Sequence, residues 1–223
     1  MNLITSVIIS TCLLFSSLSA YAASLNVPED RAIRVSGEIM DLRPQVLEMA
    51  MKFIEAPTQP IYIMLDTPGG LVDGGMPLIN AIRMAKLSGA EVVCVAKYAA
   101  SMGLAIFSEC SKRYAMADSR LLWHPVKALV QDALSYEVAQ GLAKELKEAD
   151  DMVWATTKRE LHISDELYMK HYREETMHTG AALKKMSPGY LHIVDKVEGA
   201  GFTIDDPIRD LSHQIQMPGL VPN

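Results

Sequence analysis

Between Glu91 and Pro125 the chain reads EVVCVAKYAASMGLAIFSECSKRYAMADSRLLWHP, and no other stretch narrows the fold so far. An apolar run, Val92 to Ala96, gives way to the small residues Ala99 and Ala100. Ser101, Met102 and Gly103 follow, and then a second apolar run from Leu104 to Phe107. This is the order of a buried strand, a tight turn, a serine and a buried helix. The serine is thereby placed at a helix N-terminus, where free backbone N–H groups and the helix dipole favour negative charge. Such a position suits a hydroxyl that becomes an alkoxide-like nucleophile, and an oxyanion formed beside it.

Taken alone, Ser101 reads first as a helix N-cap. Two neighbouring features favour chemistry. Ile61 to Asp66 reads as a buried strand running into Thr67-Pro68-Gly69-Gly70, and paired glycines after a strand permit positive φ and close backbone approach to a ligand. Downstream, His124 ends a further apolar strand, Leu121-Leu122-Trp123. In a parallel sheet the carboxyl ends of the strands converge at one edge, where ligands bind. A Gly-Gly turn, a serine and a histidine would meet there.

DTPGG, YAASMG, SKRYAMADSR and LLWHP occur in the order and spacing of the Clp protease proteolytic subunit family, which this chain resembles. The similarity begins at RAIRVSGEIMD, runs to His124, and resumes through a long helix to YLHIVDKV. It implies a crotonase-like α/β fold, a layered spiral of βαβ units with a projecting handle helix that mediates stacking between rings. It also implies a serine peptidase with Ser101 as nucleophile, His124 as general base and backbone N–H groups of Gly69 and Met102 as the oxyanion hole. Gly70, Leu71 and Val72, and Pro125 with the residues after it, resemble edges that bind peptide by strand addition. The implied partners are a peptide or unfolded protein substrate and further copies of the chain in a ring.

The family's third triad member, an aspartate, has no counterpart here. The comparable text is Arg173-Glu174-Glu175-Thr176-Met177-His178-Thr179-Gly180, in which Glu175 aligns best and Glu174 is its neighbour. A glutamate can orient an imidazole, although its extra methylene changes the reach. A surface carboxylate is the alternative for Glu175. A second departure is that Pro125 follows His124 directly, where the family has one residue between them.

The N-terminus carries no charged side chain through residue 22, is largely apolar from Leu3 to Leu18, and offers Ala20 and Ala22 at the −3 and −1 positions of a signal-peptidase site. The chain therefore divides into a signal peptide (1–22), a peptidase domain (23–200) and a C-terminal tail (201–223). Its expected location is periplasmic or secreted, with an N-terminal membrane anchor as the alternative. Of the cysteines, Cys94 and Cys110 lie in the strand before Ser101 and the helix after it. A sheet-to-helix spacing of roughly 10 Å exceeds the ~7 Å limit for bridged Cα atoms, so two buried free thiols are expected over a disulfide.

The remaining elements alternate strand and helix: a strand at 33–39, helices at 42–55 and 73–88, short strands at 113–115 and 119–123, and a closing strand at 191–197. Helix 42–55 is expected to bury Val46, Leu47, Ala50, Phe53 and Ile54. The polar residues 24–30 read as a lead-in. Leu134 to Leu161 reads as one long helix with a stripe at Leu134, Val138, Leu142, Leu146, Ala149 and Val153, and shorter helices follow Ser164 and Thr179.

A net charge of −6 with no basic stripe excludes nucleic-acid binding. His162, His171, His178 and His192 have no metal-ligand spacing, and Gly69-Gly70 lacks the lysine and spacing of a phosphate-binding loop, so no metal, cofactor or ATP hydrolysis is expected. Three other readings compete. One is a Ser-Lys peptidase using Lys97, Lys112 or Lys127, and another an oligomeric scaffold whose triad has decayed. The third is a crotonase-type acyl-CoA enzyme, which leaves the Ser101–His124 pairing unexplained.

Overall fold

The computed structural model describes residues 23–130 and 133–201. The expected signal peptide, and the tail beyond Gly201, lie outside the described residues. The chain enters through β1 (Ser24–Val27) and a 3-10 turn, then alternates: β2 (Ala32–Ser36), α1 (Arg43–Glu55), β3 (Ile61–Thr67), α2 (Val72–Leu87), β4 (Val92–Ala100), α3 (Met102–Glu109) and β5 (Lys112–Leu122). The strands β2-β3-β4-β5 are parallel neighbours in chain order, as successive βαβ units require. Their shared register places the ends of β3, β4 and β5 at one edge, with Thr67 opposite Ala99 and Ala100 opposite Leu122.

The fold closes with α4 (Tyr136–Leu161), α5 (Asp165–Glu174), β6 (His178–Thr179), α6 (Gly180–Met186), β7 (His192–Ile193) and β8 (Lys196–Gly199). β6 adds antiparallel to β5, and β7 pairs with β5 in parallel. The single closing strand expected at 191–197 is thus split in two, because β8 leaves the main sheet to pair with β1. For the same reason residues 24–27 form a strand rather than a loop, with Val27 buried.

The two short strands expected around residues 113–123 are one continuous β5. Its pairing with β4 shifts register where Met116 to Ser119 lie opposite Lys97 alone, and the shift is spanned by Ser119. Its Oγ donates to Ala96 O at 2.6 Å and accepts from Met116 N–H at 2.9 Å, so the strand bridges its irregularity without breaking.

Helix α1 rotates from the expected face. Met49 is buried and Val46 and Phe53 pack on the core, while Leu47, Met51 and Ile54 form an exposed stripe at i, i+4 and i+7. The two ends of α4 also differ. Val153, Trp154, Thr157 and Leu161 are buried, whereas Val138, toward the other end, is exposed. A helix packed only through its C-terminal half projects from the body. No helix among the described residues is long and apolar enough to cross a membrane.

The buried α3 is pinned at its far end. Ser108 Oγ donates to Leu104 O, sits 2.6 Å from Tyr190 Oη and accepts from Thr157 Oγ1. Burial pushes the Tyr190 phenol up to about 12, keeping it protonated. The Arg113 guanidinium donates to the carbonyls of Ser108 and Cys110, satisfying the C-terminus of the helix. Contrary to expectation, Cys94 and Cys110 form a disulfide. The last turn of α3 descends onto β4 instead of running a full layer above it, leaving the two Cα atoms 5.7 Å apart.

Candidate active site

Ser101 occupies the turn between β4 and α3. Its φ of 53° and ψ of −125° lie in a region that side-chain-bearing residues rarely adopt. The strand runs up to Ala100, so this one residue makes the whole reversal that the sequence assigned to Ala99 and Ala100 as well. Holding a non-glycine residue there costs about 1–3 kcal/mol, and such strain concentrates at functional sites. The same strand–serine–helix turn presents the nucleophile hydroxyl in α/β-hydrolases. Ser101 N–H donates to Leu122 O at 2.9 Å, which ties the turn to the end of β5, two residues before His124.

Gly69, with φ of 95°, packs directly behind the serine. A Cβ on Gly69 would lie 2.5 Å from Ser101 Cβ, 2.6 Å from Ala100 O and 3.0 Å from Met102 N. Its own N–H, expected as an oxyanion donor, donates instead to Thr67 Oγ1 at 3.0 Å. The N–H of Gly70 takes no partner among the described residues, nor does that of Met102, which opens α3. Met102 N–H, next to Ser101, and Gly70 N–H are thus without a partner, whereas Gly69 N–H is engaged by Thr67. A count of glycines could not separate the two. The threonine two residues before Gly69 is the signal that could have done so.

The segment expected to bind substrate by strand addition is mostly occupied. Leu71 N–H donates to Ile39 O, Leu71 O accepts from Gly75 N–H, and Val72 is already helical. The other expected edge is open: residues 127–130, just past Pro125, carry no regular structure and no backbone hydrogen bond among the described residues, with Leu129 and Val130 exposed.

His124 is half-buried beside Trp123, which stacks on His178 and Tyr168. Its Nδ1 lies 2.7 Å from Pro125 O. A carbonyl oxygen only accepts, so Nδ1 carries the proton and Nε2 is left with its lone pair, the tautomer a general base requires. Glu175, expected to orient this ring, sits exposed at the C-cap of α5 and pairs with Lys127 at 2.6 Å. Glu174 is likewise exposed.

The lysines of the Ser-Lys alternative are all ion-paired: Lys97 with Asp66, Lys112 with Glu91, and Lys127 with Glu175. For Lys112, the Glu91 carboxylate raises the ammonium pKa, the opposite of what a lysine base needs. No group of three or more His, Cys, Asp or Glu side chains among the described residues is placed to hold a metal ion.

A family model described as Clp protease matches residues 17–185, well over half of the chain. The chain belongs to the Clp protease family. Membership carries the α/β fold and a peptidase activity at the family level. Within the Clp protease match lie both glycines, Ser101, His124 and the whole of α4.

Proposed function

We propose that the protein is an exported serine peptidase that cleaves small or already unfolded polypeptides. The observation that carries this reading is the strained turn at Ser101, backed by a glycine and ending in the free N–H groups of α3. Ser101 Oγ attacks the peptide carbonyl and His124 Nε2 takes its proton. Met102 N–H holds the oxyanion together with a backbone N–H of the Gly69–Gly70 turn, and Gly69 allows the two turns to approach. The proton passes from His124 to the leaving amine, and water then hydrolyses the acyl-enzyme by the same route. Substrate pairs as a strand with residues 127–130, next to His124, and apolar side chains rest on Leu129 and Val130.

The test is a fluorophosphonate probe on the mature protein, with the modified residue mapped. Labelling at Ser101 is expected, and Ser101→Ala and His124→Ala are each expected to lose it. A probe-inert wild-type protein would place the chain among decayed scaffolds.

Export is supported by the apolar N-terminus and by the Cys94–Cys110 disulfide, a bond that persists in oxidising compartments. Outside the cytoplasm there is no ATP supply to drive an unfoldase, hence the restriction to unfolded substrates. A homo-oligomeric ring is supported by the projecting half of α4 and by the exposed Leu47, Met51 and Ile54 stripe on α1. Native mass spectrometry on protein from the exported fraction checks all three. The expected protomer begins at Ala23, is two hydrogens lighter than its reduced form, and assembles into a closed multiple. A chain beginning at Met1 would refute cleavage, and a monomer at micromolar concentration would refute the ring.

A further inference from the structure

We propose that the acid of this site is Asp150, a positioning residue that acts on His124 through the Pro125–Val126 peptide group. The proposal rests on the Ser101–His124 reading above. Two hydrogen bonds meet on one amide. Its oxygen, Pro125 O, is 2.7 Å from His124 Nδ1, and its nitrogen, Val126 N–H, donates to Asp150 Oδ1 at 2.8 Å. An amide whose N–H rests on a carboxylate has a more negative carbonyl oxygen, because hydrogen bonds in a chain polarise one another. Aspartate, peptide and imidazole thus form a relay that orients the ring and favours the imidazolium formed during reaction. No proton needs to leave the amide.

The carboxylate is held for this task. Asp150 lies midway along α4, and the Tyr172 phenol of α5 is among its neighbours. Burial and then the Asp150 carboxylate push the phenol up, so that it stays neutral. The other titratable groups around Asp150 are Tyr168, Asp151 and Lys147. Lys147 is engaged by Asp151 at 2.5 Å, and among the described residues no cation pairs with Asp150. Its charge is therefore uncancelled, whereas that of Glu175 is met by Lys127. Pro125 follows His124 directly, and its ring fixes φ near about −65°, which steadies the amide that both groups share.

The test is the pH dependence of Ser101 inactivation by the fluorophosphonate probe, with maximum rate and half-saturating concentration measured separately. Asp150→Asn is expected to lower the maximum rate about tenfold, since an indirect acid should be worth less than a direct one. The half-saturating concentration should hardly change, and the acid limb of the profile should move to lower pH as the imidazolium loses its negative neighbour. Asp150→Glu should recover part of the rate. Tyr172→Phe should shift rate and profile the same way by less, and it decides the matter if Asp150→Asn does not fold. A folded Asp150→Asn with the wild-type profile overturns the proposal. So does a larger loss and shift in Glu175→Gln. If the wild type itself is inert to the probe, the serine peptidase reading falls first and the relay with it.

Discussion

Gly69→Ala is expected to reduce the reaction of Ser101 with a fluorophosphonate by at least about 10²–10³, the range seen when one oxyanion donor is lost. The methyl group has nowhere to go. It would meet Ser101 Cβ at 2.5 Å, Ala100 O at 2.6 Å and Met102 N at 3.0 Å, and two of these three are backbone atoms that no rotamer change can move. The residue also holds φ at 95°, a conformation an alanine adopts only under strain. To make room, the Ser101 turn must retreat from the glycine turn, which displaces the proposed nucleophile and Met102 N–H. The substitution therefore strikes geometry and donor spacing together. Gly89→Ala is a matched comparison, because Gly89 also has positive φ, at 85°, but no atom lies within 4 Å of its added Cβ. Both variants carry backbone strain, and only Gly69→Ala should lose probe reactivity beyond what its melting temperature explains. Equal reactivity in the two would show that the close approach of Gly69 to Ser101 has no part in the chemistry.

Local patterns in the sequence carried the elements around the site well. The apolar runs of β3 and β4 and the Gly-Gly pair mark strand ends in any parallel sheet, and His124 falls where a strand from Ser119 would deliver it. What escaped was set by individual contacts that no periodicity shows, most of them between distant residues. The engagement of Gly69 N–H depends on a threonine hydroxyl folding back over a proline. The exposed face of α1 depends on where α2 and the sheet lie, because Leu47 and Ile54 are as apolar as the residues that were buried. The disulfide depends on the descent of α3 toward β4, which an average layer spacing cannot anticipate. The proposed acid was hardest to see. Glu175 sits where alignment puts it, yet in space it meets a lysine three residues beyond His124. Asp150 lies in a charged run, Lys147 to Asp151, that reads as a solvated helix face. Nothing local links it to an amide 24 residues earlier.

His178 was legible only as a histidine without metal spacing, and its position leads to an expected loss of stability in mild acid. It lies on β6 directly opposite Leu121, is only 5% exposed, and stacks on Trp123 at 4.7 Å. The His171 imidazole meets it edge-on at 4.6 Å, and its Nε2 is buried with no hydrogen-bond partner. Burial first, and then the charge on His171, hold its pKa down from 6.5 to about 4. In the unfolded chain the ring takes up its proton near pH 6.5, while in the folded chain it resists until near pH 4. The stability tied to the neutral ring is therefore fully present above about pH 6.5 and is lost as pH falls toward 4. Linkage puts the loss between pH 7 and pH 5 at about 2 kcal/mol. His178→Phe keeps a flat ring against Trp123 and removes the titration. The urea midpoint of the wild type should fall between pH 7 and pH 5 by an amount corresponding to that loss, and the midpoint of His178→Phe should fall by much less. Because β6 pairs with the strand that ends in His124, the weakening is expected at the site itself, ahead of global unfolding, as faster exchange of the Leu121 and Leu122 amides. Parallel decline of the two proteins would mean that other groups, and not this buried imidazole, set the acid limit.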